Sequence, residues 1–307
     1  MSRISTYNSF TYGTQGLLQG QAKMAKAQEQ ASSQKTAVDL KGYGNQAKQL
    51  VSAKTMATML EKRTTDLKSL QARAEIEAHA FTSFTDTVSS LRTSIGNAIA
   101  NQNGAGFAAA LEAALANTIA AANTEFSGQS IFGGNRAYEA PFVNTDLNTL
   151  AAQPNSDPNF IDTGANRIVT LEQGHNIELS QSAKEVFQPF IEFVRTVRAW
   201  ENANTPLTGR LDATQMAFLK GQFTAIGTVE SKAFEDQAAA GIVNKQLSDV
   251  IEANEDRVST LDAVVGKIEN VDLAEVATRL SAAQTQYEAS ASIFAQLKGL
   301  NLLQFLR

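Results

Sequence analysis

Apolar residues recur along this chain with a period of seven. Leu60, Leu67, Ala74, Phe81, Val88 and Ile95 hold one heptad position, and Met56, Leu70, Phe84, Leu91 and Ala98 hold most of the other. Arg63 and Glu77 interrupt that second line. Such a seam predicts a coiled-coil-like helix. A single helix over 45–102 would be about 85 Å long at about 1.5 Å per residue, more than a globular domain can house. "NQNGAG" (101–106) ends it, and Phe107 to about Glu125 reads as an Ala-rich returning helix. Upstream, Phe10, Leu17, Met24 and Ala31 are also spaced by seven, before "DLKGYGN" (39–45) intervenes.

The C-terminal arm mirrors the first. Over 212–268, Leu247, Leu261 and Ile268 share one heptad position with Asn254 between them, and Val243, Val250 and Val264 share the other. "IENVDLAEV" then leads into a last helix on which Leu273, Leu280, Tyr287 and Phe294 repeat, with Ala283, Ser290 and Leu297 at the companion position. Small residues there would let a neighbouring helix approach closely. The five prolines, Pro141, Pro154, Pro158, Pro189 and Pro206, all fall between these arms. Proline costs about 3 kcal/mol inside a helix. Within this middle, "RIVTLEQGHNIELS" (167–180) reads as a β-hairpin, "QPNSDPNF" (153–160) as loop, and Ser182 with Glu185 as a capping box opening a helix that carries Trp200. The fold class that follows is mainly α: a long antiparallel helical rod, a coiled-coil-like bundle built from both chain ends, with a small β-containing middle domain.

Composition sharpens this. The 307 residues are 43% hydrophobic but only 7% aromatic, which favours close helix packing over one large core. A net charge of −5 argues against nucleic acid as a partner. No apolar run nears the roughly 18–20 residues needed to cross a bilayer, so no membrane partner is expected. "MSRISTYNSF" has neither the apolar stretch nor the cleavage site of a secretory signal peptide. The absence of cysteine excludes disulfides and thiolate chemistry.

Candidate chemistry is sparse. Glu75 and His79 are four apart on the long helix, too few ligands for a metal, and His175 lies in the hairpin turn. "KGYGN" and "NGAG" lack the strand and lysine of a phosphate loop. Asp249, Glu252, Glu255 and Asp256 read as the polar stripe of a helix. The pattern therefore predicts no enzyme, and no catalytic, cofactor-binding or metal residues.

The apolar ends are the informative feature. Leu297, Leu302, Leu303, Phe305 and Leu306 crowd the last residues, costly to leave in water. Either the two terminal helices pack on each other within one chain, a marginal pair alone, or they order when many copies assemble. The second reading is preferred, because the terminal cluster has no intrachain partner apparent in the pattern. The candidate assembly residues are Phe10, Leu17, Met24, Leu273, Leu280, Tyr287, Phe294, Leu297, Leu302, Leu303, Phe305 and Leu306.

Specific motifs carry a family resemblance. "SRIST" (2–6), "ASSQKTAVDLKGYG" (31–44), "SGQSIFGG" (127–134), "RVSTLDAVVGKIENVDLAEVATRLSAAQTQYEASASIFAQL" (257–297) and the closing "LNLLQFLR" resemble segments of the bacterial flagellin superfamily. They are most similar to its hook-associated branch, which joins hook to filament. Gln34 stands where the family's connector has a glycine. The resemblance implies a structural subunit of the flagellum that polymerises through its terminal helices. It implies export through the flagellar type III channel with an export chaperone, and an extracellular location. The implied partners are further copies in a helical tube, the first hook-associated protein and flagellin. The implied domains are a terminal helical assembly domain (1–40 and 272–307), a helical rod domain (41–135 and 185–271) and a small outer β/loop domain (136–184). Alternatives are a major filament flagellin, and a coiled-coil adaptor or type III needle-tip-like protein.

Overall fold

The computed structural model describes residues 2–134, 136–143, 145–161, 166–172 and 175–305. The chain is mainly α-helical. Helix α1 (Ser2–Ser33) is followed by a 3-10 turn (Leu40–Gln46), α2 (Ala47–Ala100) and α3 (Phe107–Ala122). Two-residue strands β1 (Glu125–Phe126) and β2 (Gln129–Ser130) come next, then α4 (Leu147–Ala152) and a 3-10 turn (Asp157–Asn159). Strands β3 (Arg167–Glu172) and β4 (His175–Ser180) precede α5 (Ala183–Ala203), α6 (Ala213–Glu269) and α7 (Leu273–Phe305). The first heptad line of α2 is buried throughout, from Leu60 to Ile95. Met56, expected on the second line, is instead exposed, and Ala53 and Ala57 are buried in its place. The heptad spacing is right, but the face rotates toward alanines, which admit a closer neighbour.

By contacts the chain forms two compact units, Met1–Lys62 with Glu255–Arg307, and Arg63–Asn254. Helices α2 and α6 contribute to both.

In unit two, α2 and α6 run antiparallel. Thr82 Oγ1 accepts from Gln237 Nε2 at 2.9 Å, Asn244 Nδ2 donates to the Ala74 carbonyl at 3.2 Å, and Glu230 accepts from Ser89 and pairs with Arg92. Helix α5 completes a core of phenylalanines: Phe84 meets Phe187 edge-on at 4.8 Å, and Phe132 meets both Phe187 at 5.1 Å and Phe81 at 5.6 Å. Ser182 caps α5, its Oγ accepting from the Glu185 N–H at 3.2 Å. The expected reciprocal bond is replaced, since the Ser182 N–H donates to Asn166 Oδ1 at 3.1 Å. Pro189 lies inside α5 without ending it, and Trp200 stacks on Phe218 at 4.1 Å.

Strands β3 and β4 pair antiparallel with two register shifts. They lay Leu171, Ile177 and Leu179 on Leu67, Ala74, Leu247 and Ile251. The sequence pattern missed β1–β2 and α4, elements too short to show periodicity. Asp146 caps α4 by accepting from the N–H groups of Asn148 and Thr149, and its carboxyl is held below the usual range chiefly by the Thr149 hydroxyl and backbone.

Candidate assembly surfaces

The terminal helices pair within unit one. Helix α1 runs antiparallel to α7, with Lys23 Nζ donating to Gln286 Oε1 at 3.2 Å. The contact is made by small residues. A Cβ on Gly20 would stand 3.3 Å from Tyr287 Cα, and one on Gly16 would stand 3.5 Å from Ser290 Oγ. Gly20 and Ala27 on α1, and Val276 and Ala283 on α7, are buried. The terminal helices therefore pack on each other within the chain, the first of the two readings the sequence left open. The small residues Ala283 and Ser290 marked the α7 side of this contact in the sequence; the matching α1 line through Gly16, Gly20 and Ala27 has no hydrophobic signature.

The large candidate residues flank that line. Leu17, Met24, Leu280, Tyr287 and Phe294 are half-buried, and Leu273 is 48% exposed. Helix α7 reaches Phe305, but the side chains of Phe10, Leu297, Leu302, Leu303 and Phe305 lie outside the described residues, as does Leu306 altogether. Leu18, Val38, Leu40, Val51, Met56, Met59 and Ile293 of the same unit are exposed.

Between α1 and the 3-10 turn the chain makes a connector built around Glu269. Gln34 adopts a left-handed backbone (φ 58°), the conformation for which glycine is the default. The glutamine-for-glycine departure therefore leaves the turn in place, at a cost in strain. Lys35 bridges Asn270, the Thr36 N–H donates to the Glu269 carbonyl at 2.7 Å, and the Val271 N–H donates to the Gln34 carbonyl at 3.2 Å. The Glu269 carboxylate pairs with Lys35 and Lys54, each at 2.6 Å. Hydrogen bonds from Lys35 and then Lys54 hold that carboxyl below the usual range, and Glu269 in turn raises Lys35. Gly42 is required: a Cβ there would meet the Ala37 Cβ at 2.3 Å. Tyr43 donates to the Ala37 carbonyl at 2.6 Å and packs with Leu50 and Ile268. Asp272 starts α7, its Oδ1 accepting from the Ala274 N–H at 2.8 Å and the Glu275 N–H at 3.3 Å.

Residues with possible chemistry are scattered. Glu75 and His79 are exposed on α2, as are Asp249, Glu252, Glu255 and Asp256 on α6. Among the described residues no three His, Cys, Asp or Glu converge as a metal site, and no helix is long and apolar enough to cross a membrane.

Comparison with known proteins bears directly on these helices. Residues 223–306 match the family model of the bacterial flagellin C-terminal helical region. The fold resembles a flagellar hook-associated protein from Vibrio parahaemolyticus (TM-score 0.58, 14% identity, 76% of this chain and 99% of that one). It also resembles Bacillus cereus FlgL (TM-score 0.53, 13% identity, 70% of this chain and 98% of that one). No curated protein matches the chain by sequence. The C-terminal part of the chain thus resembles the flagellin C-terminal helical region, and the fold is similar to that of these hook-associated proteins.

Proposed function

We propose that this chain is an axial subunit joining the flagellar hook to the filament. The observation that carries this reading is the likeness over 99% of a hook-associated chain, combined with a terminal helix pair that leaves large apolar side chains in water. In this reading the terminal pair, residues 1–40 and 272–307, forms the inner assembly domain. The helices over 41–135 and 185–271 form the rod around it, and 136–184 is the outer domain. Lateral burial against neighbouring copies covers Leu17, Met24, Leu280, Tyr287 and Phe294, and the apolar end from Leu297 to Leu306 joins the same surface. The partners are further copies, the first hook-associated protein on one side and flagellin on the other. The chain reaches its place outside the cell through the type III channel, with a chaperone for its terminal helices.

The test is replacement of the gene by Leu280→Asp or Phe294→Asp. Each places a charge where assembly would bury it, at a cost of several kcal/mol if unpaired. Such variants should keep the circular dichroism of the monomer, leave hooks in place and release filament protein into the medium. Normal filaments with either variant would overturn the role of the terminal pair. The flagellin C-terminal match favours a second reading, a filament flagellin, because it names that family. Immunogold label along the whole filament, rather than at the distal end of the hook, would select it. A subunit with different partners on its two faces has a heterologous contact that does not propagate with itself, so the junction reading expects poor self-polymerisation.

A further inference from the structure

The β3–β4 hairpin of unit two covers a buried carboxyl. A two-stranded hairpin is marginal alone, so its seat on α2 and α6 through Leu171, Ile177 and Leu179 is what holds it. Glu77 lies on that seat, in a heptad position that calls for an apolar residue, and is 4% exposed.

Its charged surroundings compensate poorly. The Gln181 N–H donates to it. Arg73 on α2 offsets its burial in part, but Arg73 Nη2 is already committed to the carbonyls of Ser130 and Ile131 at 2.9 and 3.0 Å. From β3, Arg167 lies near Arg73 and opposes its charge. From β4, Glu178 opposes ionisation of Glu77. From α6, Asp236 faces the same space, 3% exposed, with Oδ1 on Lys232 at 2.7 Å and Oδ2 without a partner. Burial pushes Glu77 up to about 8, against the partial relief from Arg73.

A cavity of about 340 Å³ adjoins this group. One wall is β4 with Gln181, the other is α6 from Asp236 to Gln246, and Glu77 and Phe81 lie between them. The cavity is a cleft open to solvent on its outer side, where Asn176, Glu178 and Ile242 are exposed, while Glu77 at its inner end stays buried; an ionised Glu77 needs water, which lifting β4 away from α6 would bring to it.

We propose that the β3–β4 hairpin is a proton-locked flap, seated on α2 and α6 while Glu77 carries its proton and opening with loss of that proton. A carboxyl raised in the seated state and ordinary in the open one gives a definite sign. The seat is strongest below the ordinary carboxylate range, weakens as pH rises from there, and levels off above about 8.

Amide hydrogen exchange of Ile177 and Leu179 in the full chain, from pH 5.5 to 9, tests it against Glu77→Gln. The ratio of wild-type to variant exchange at each pH cancels the base-catalysed chemical rate. The ratio should climb with pH, by at most about tenfold per unit, and flatten above about 8. A ratio independent of pH would overturn the proposal. If the variant loses its circular dichroism, Glu178→Gln serves instead, since Glu178 is exposed on β4. The Glu77 carboxyl, followed by carbon NMR, should then titrate at lower pH than in the wild type, and the exchange plateau should move down with it. A plateau that stays put while the titration moves would equally refute the coupling.

Discussion

Unit two is packed with phenylalanine, whereas the terminal helices of unit one meet through small residues. Phe81, Phe84, Phe132, Phe187 and Phe190 are fully buried in unit two. Each burial is worth about 1.5–3 kcal/mol, and edge-on ring pairs add about 0.5–1.5 kcal/mol. Among the described residues of unit one, the buried apolar side chains are Ala27, Ala53, Ala57 and Ala283 with Tyr43, Leu50, Leu60, Ile268 and Val276, and none is a phenylalanine. Unit one also carries most of the exposed large hydrophobics, Leu18, Met56 and Met59 among them. Unit two thus gathers its aromatic mass in one core, whereas unit one joins α1 to α7 through small residues and leaves many of its large ones exposed. Small interior residues bring α1 and α7 close but release little surface from water.

The contrast can be broken from either side. Phe187→Ala should cost unit two about 3–5 kcal/mol, read by urea unfolding through Trp200, which stacks on Phe218 in that unit. A cost under about 1 kcal/mol would mean the aromatic core is not what holds it. Gly20→Leu should cost unit one about 1–3 kcal/mol through overpacking against Tyr287, seen as faster amide exchange in α1 and α7 with the Trp200 transition unmoved. The sign is informative, because replacing a helical glycine without a close neighbour would stabilise.

Smaller effects sharpen the comparison at the connector. Gln34→Gly relieves a left-handed backbone and should stabilise unit one by about 0.5–1 kcal/mol, measured by amide exchange of Thr36. Glu269→Gln should be weaker, because both lysine partners are half-exposed and screened. Its effect has a pH signature. The wild-type contribution of Glu269 is present at neutral pH and lost as pH falls through its lowered value. That of Lys35 is lost as pH rises through its raised value. Thr36 and Val271 amides should therefore exchange faster in the variant at neutral pH and alike in acid. Least of all, Leu18→Ser and Met59→Ser should change monomer stability by no more than about 0.5 kcal/mol, yet impair co-assembly with wild-type subunits. Normal co-assembly would return these side chains to the ordinary apolar surface of a monomer.

The heptad line of α2, the ends of α6 and α7, the β3–β4 hairpin and the Ser182 cap were all legible in the sequence, because each follows from local spacing: a period of seven, or a cap three residues from its donor. The connector motif around Gln34 and Glu269 was legible only as a resemblance. Its geometry depends on residues more than two hundred positions apart meeting across a bridge. The Gly20–Tyr287 crossing was hidden for a related reason: glycine and alanine leave no hydrophobic signature, so their burial is decided by the partner helix. Glu77 shows the limit most plainly. Spacing marked it as a fault in a seam, and only the hairpin folded over it, with Arg73 drawn off to the carbonyls of Ser130 and Ile131, turns that fault into a buried carboxyl. Local periodicity determines which residues can share a face; which face meets water, and which charge loses it, is set by contacts that no local window contains.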